Sequence, residues 1–110
     1  MKLTKKDVKI FQGVNVKIVL ARMLKQGFLP LSLTQVTKLR KQGIIPKQWY
    51  DTRTILYRGK RRNATIKELQ NIQKFYERGG CLVFAGNFDH GNYLFGSNLS
   101  FNGRFVGVKK

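Results

Sequence analysis

The sequence predicts an α+β domain, and three observations carry that prediction. Residues 15–80 contain three apolar-periodic segments with matched helix start and stop residues. An extended, strongly basic stretch separates the second from the third. The last thirty residues change to short β-favouring runs divided by Gly- and Asn-rich turns. A chain of 110 residues with 42% hydrophobic content suits one domain with a modest core. A sheet this short needs its helices as cover, so residues 1–110 are read as one unit. Residues 1–9 are the part freest to move.

The first helix is expected over about 15–26. Asn15 is its cap, and Val16, Val19, Leu20, Met23 and Leu24 form an apolar stripe. Val14 is placed to staple onto Val19, and Gly27 supplies a left-handed stop. Lys17, Arg22 and Lys25 fall mostly on the other side. The second helix, about 33–42, starts at Ser32 in a capping box with Gln35, buries Val36 and Leu39 and stops at Gly43. Lys38, Arg40 and Lys41 crowd its later turns. The third, about 65–78, opens with a capping box of Thr65 and Glu68. It turns Leu69, Ile72, Phe75 and Tyr76 inward and ends at Gly79-Gly80.

KQGFLP at 25–30 is echoed by KQGIIP at 41–46. Each reads as a helix stop, with Gly in the left-handed position and Pro blocking continuation. The short connector Phe28-Leu29-Pro30-Leu31 makes the first two helices a helix-turn-helix-like pair, either an αα-hairpin or a DNA-reading unit. Residues 50–62 read as an extended basic arm or wing. Ile55, Leu56 and Tyr57 favour strand, and Arg58-Gly59-Lys60-Arg61-Arg62-Asn63 a charged turn. Trp49, Tyr50 and Tyr57 beside this cluster can stack on bases or sugars or sit in the core, and for Trp49 the core is preferred. The final segment, 81–108, is expected as an antiparallel meander with a type I′ turn at Asn102-Gly103.

The charge is the strongest functional signal. Twenty-two Lys and Arg against five Asp and Glu leave a formal +17 and a pI of about 10.6. Solubility of a small domain needs only about 2–8 charges, and the excess repels itself, so a polyanion is the expected partner. Phosphate is the commonest such counter-charge.

The segment QVTKLRKQGIIP, the extended RTILY after it and the helix TIKELQNIQKFYERG resemble the DNA-binding half of the mercury-resistance-regulator (MerR) family of winged-helix proteins, over roughly residues 33–79. The resemblance implies that Thr37, Lys38 and Arg40 lie on a recognition helix and Arg53, Arg58 and Lys60 on a wing. With the neighbouring cations, the candidate nucleic-acid-binding residues are Thr37, Lys38, Arg40, Lys41, Lys47, Arg53, Arg58, Lys60, Arg61 and Arg62.

Other chemistry is poorly supported. His90 beside Asp89 is the lone histidine, and neither a metal-ligand spacing nor a phosphate-binding glycine loop occurs, so no cofactor or metal is expected. A small basic ribonuclease using His90 is the surviving enzymatic option, and a turn role for that residue is preferred, which makes the chain a non-enzyme. Cys81 lies in the apolar run CLVFA and reads as a buried thiol in a reducing, cytoplasmic setting; neither a membrane span nor a secretory signal is read. A DNA-binding module ranks first. Second is an RNA- or ribonucleoprotein-binding protein stacking bases on Phe84, Phe88, Tyr93, Phe95, Phe101 and Phe105. Third is a small phage- or mobile-element-type inhibitor or accessory factor of a nucleic-acid-handling enzyme.

Overall fold

The computed structural model describes residues 2–86 and 98–110, so the expectations placed on His90, Asp89, Phe88, Tyr93 and Phe95 lie outside the described residues. The chain is α+β. After a single 3₁₀ turn at Lys5–Asp7 come β1 (Val8–Gly13), α1 (Val16–Lys25), β2 (Phe28–Pro30), α2 (Leu33–Lys41), β3 (Tyr50–Tyr57) and β4 (Lys60–Asn63). The elements that follow are α3 (Ile66–Gln70), α4 (Ile72–Glu77), β5 (Cys81–Ala85) and β6 (Gly103–Lys109).

The helix starts form as their sequences dictate. The Asn15 side chain accepts from the backbone N–H groups of Lys17 and Ile18, at 2.9 and 3.3 Å. Ser32–Gln35 and Thr65–Glu68 both close as reciprocal capping boxes. The KQG echo has the expected cause: Gly27 (φ +84°) and Gly43 (φ +71°) both sit in the left-handed region that terminates a helix. Val14, by contrast, is 76% exposed, so the anticipated staple onto Val19 is not made.

The described strands form one mixed six-stranded sheet. β6 is its hub: it pairs antiparallel with β1 (Val8↔Val108 to Gly13↔Gly103) and with β2 (Phe28↔Lys109), and meets β3 in parallel at Asp51↔Phe105. β3 carries β4 as a hairpin (Tyr57↔Lys60 to Thr54↔Asn63) and β5 antiparallel, with a bulge between Asp51 and Ile55. The Thr52 hydroxyl lies at that bulge and donates to the Val83 carbonyl at 2.6 Å.

Alternating side chains divide this sheet between two cores. Phe11, Ile55, Leu82 and Phe105 face Val16, Val19, Leu20 and Met23 of α1 and Leu69, Ile72 and Phe75 of α3 and α4. Tyr50, Val83, Ala85 and Val106, with Ile10 and Leu56, face Leu33, Val36 and Leu39 of α2. The sheet is therefore sandwiched, with α1, α3 and α4 on one face and α2 on the other. Gly103 permits the close approach of β6 to α1, because a Cβ there would lie 2.8 Å from the Val16 Cα. Leu3 and Val8 pack on the α2-side core, so this part of the segment 1–9 lies against the domain.

Three expectations need correction. The first two helices are not a helix-turn-helix pair. Their connector is β2, which inserts beside β6 and sends α1 and α2 to opposite faces. The third helix breaks at Asn71 (φ −118°, ψ 40°) into α3 and α4, a point at which the apolar periodicity gives no warning. The two described strands within 81–108 do not make the expected meander with each other: β5 pairs with β3, and β6 with β1 and β2. Neither Asn102 nor Gly103 has the positive φ that a type I′ turn requires; Gly103 simply begins β6.

Candidate nucleic-acid interface

The ten residues singled out by sequence separate into three groups. Arg40, Arg53 and Arg62 are committed to the fold. The Arg40 guanidinium donates to the carbonyls of Gln48 (3.1 Å) and Gly86, tying the segment after α2 to the end of β5. Arg53 is half-buried, and its Nε donates to the Ala64 carbonyl at 2.7 Å, closing the β3–β4 hairpin near its base. Arg62 makes a two-pronged contact with Glu68, both N–O distances being 2.7 Å. That guanidinium and the Thr65 backbone N–H hold the Glu68 carboxyl down at about 2.

Thr37, Lys38, Lys41 and Arg61 form the second group and are brought together. With Leu33, Thr34 and Gln42 they line an open cleft of about 420 Å³. Three cations from two elements thus surround a space whose lining holds no carboxylate. Strand alternation explains the arrangement. Arg61 is opposite Leu56, whose side chain faces α2, and Arg62 is opposite Ile55, whose side chain faces α1 and α3. A smaller cleft of about 150 Å³ adjoins it at Lys38 and adds Lys2 from the N-terminal segment, so the basic strip extends along α2. Lys2 was not among the expected residues, and nothing in the local sequence distinguishes it from the other N-terminal lysines.

The remaining three stand apart. Arg58 (φ +51°) and Lys60 flank the tip of the β3–β4 hairpin, with Arg58 stacked 5.1 Å from the Tyr57 ring, and Lys47 is exposed in the loop before β3. All three are open to solvent.

The aromatic residues are mostly structural. Tyr50 is fully buried, its hydroxyl donating to the Pro46 carbonyl at 2.8 Å, and that burial raises its pKa. Trp49 is half-buried beneath the Arg104 guanidinium, 4.4 Å from the ring centroid. Phe105, expected in one reading as a stacking surface, is fully buried against α1, whereas Phe101 is 66% exposed. The Cys81 thiol is half-buried and its pKa is raised by that burial, which makes it a poor nucleophile. Among the described residues no group of acids, cysteines and histidines could hold a metal ion, and no helix is long and apolar enough to cross a membrane.

No protein-family model matches this chain, and neither the curated proteins nor the solved structures yield a significant match. A functional reading therefore rests on the chain's own chemistry.

Proposed function

We propose that this protein binds nucleic acid, with duplex DNA as the preferred partner, by laying the α2–β4 face along the phosphate backbone. The observation that carries the reading is the cleft in which Lys38, Lys41 and Arg61 converge without a carboxylate. Lysines and arginines gathered on one surface make the electrostatic footprint of phosphate binding, and Thr34 adds a hydroxyl of the kind that donates to phosphate oxygens. Charge counting supports it. If each of the five Asp and Glu carboxylates neutralised one cation, seventeen of the 22 Lys and Arg would still lack an acidic side-chain partner. In this reading α2 presents Thr37 and Lys38 to the bases, and the β3–β4 hairpin, with Arg58 and Lys60 at its tip, reaches along the backbone beside it. That keeps the order of helix, arm and helix on which the resemblance to MerR-type regulators rests. Duplex DNA is favoured over stacked single-stranded RNA because helices cover both faces of the sheet and Phe105 lies in the core.

A fluorescence-anisotropy salt titration tests the reading. Neutralising about 5–8 phosphates gives a log–log slope of about −4 to −7, and the triple variant K38Q/K41Q/R61Q should reduce its magnitude by about 2–3. A slope near zero for the wild-type protein, or a triple variant with an unchanged slope, refutes it.

A further inference from the structure

A second groove lies on the opposite face of the sheet from the α2–β4 cleft. It has a volume of about 650 Å³ and runs between α1 and the α3–α4 junction. Lys17, Ala21 and Lys25 recur at helical spacing along one wall. The other wall is the α3–α4 junction, where the third helix breaks at Asn71. Gln70, Asn71, Gln73 and Lys74 border the groove there. Three cations and three side-chain amides thus line it together with the apolar Leu24 and Ile72. One carboxylate, Glu77, also borders it and accepts a bond from Gln73 Nε2 at 3.4 Å.

We propose that this groove is a second phosphate-binding surface and that the protein bridges two duplex segments, one on each face of the sandwich. The inference rests on the nucleic-acid reading above and extends it. Three cations converge here as they do at α2–β4, and both places draw on the same uncompensated charge. A single duplex does not reach both. The body measures 35 × 32 × 26 Å, whereas duplex DNA stays straight over a persistence length of about 50 nm, so it does not fold back around a particle this small. Two separate segments satisfy both surfaces.

A capture assay tests the bridge. One duplex is biotinylated and held on beads, a second carries a fluorophore, and the protein is added at low salt. The wild type is expected to retain the fluorescent duplex. The variant K17Q/K25Q/K74Q should lose capture by about tenfold while its anisotropy-measured binding to one duplex falls less than about threefold. The three lysines are exposed, and a circular-dichroism melt matching the wild type establishes that the variant is folded. Capture by this variant at the wild-type level overturns the proposal, including the case in which self-association makes the bridge. Wild-type protein that binds one duplex but never captures a second overturns it while leaving the proposed function intact. Wild-type protein that binds no duplex overturns both.

Discussion

Arg61 and Arg62 are adjacent in the chain and chemically identical, yet they end on opposite sides of a six-stranded sheet. Arg61 joins Lys38 and Lys41 at an open cleft, and Arg62 is clasped by Glu68 at the start of α3. The difference teaches that a run of basic residues is not one patch. In a strand, successive side chains point to opposite faces, so a cluster that is dense in sequence is split in half by the backbone. Arg40 and Lys41 diverge similarly on α2, one turned to the Gln48 and Gly86 carbonyls and the other to solvent. Cations held by the chain's own carbonyls or by Glu68 tie the fold together, and those turned to an open cleft are available to a ligand.

The sharpest way to break this division is in the sheet itself. Phe105→Ala removes a fully buried ring from the α1-side core and should cost about 3–5 kcal/mol in chemical denaturation, enough to unfold a marginal domain. Phe101→Ala, at a residue 66% exposed, should change stability by no more than about 0.5 kcal/mol. Equal costs would show that the core is misassigned.

Arg40→Ala comes next. It leaves two carbonyls without their donor and should destabilise by about 1–3 kcal/mol. Lys41→Ala, one residue away, should leave the melting temperature unchanged and weaken duplex binding instead. If Arg40→Ala melts like the wild type and loses binding as Lys41→Ala does, Arg40 belongs to the interface.

A smaller effect separates Arg62 from Arg61 through pH. The Glu68 carboxyl is depressed to about 2 in the folded chain, chiefly by Arg62, against an ordinary value of 4.5. Its contribution is therefore fully present above about pH 4.5 and is lost as pH falls through about 2. Because the Arg62 side chain is 48% exposed, solvent screening holds the pair to about 1 kcal/mol or less. Arg62→Ala should flatten the acid limb of the stability curve over that window, and Arg61→Ala should leave its shape unchanged. An acid limb identical in wild type and Arg62→Ala would remove the pair from the account.

Local features of the fold were legible because their causes are local. Asn15, Ser32 and Thr65 cap helices through atoms two or three residues away, and Gly27 and Gly43 stop them by a backbone conformation that one residue adopts alone. The excess of positive charge, and with it the expectation of a polyanion, is likewise a property of composition.

What only the tertiary structure decided is partnership across distance. Nothing within residues 81–108 shows that β6 leaves its sequence neighbour β5 to join β1 and β2, because strand pairing depends on which edges the rest of the chain leaves open. Insertion of β2 beside β6 turned an apparent helix-turn-helix into two helices separated by the sheet. The β3–β4 hairpin placed Arg53 against Ala64, and the packing of α2 on the sheet placed Arg40 against Gly86. Amino-acid type determined that these side chains carry positive charge; only the packing of distant segments determined which ones a phosphate can reach.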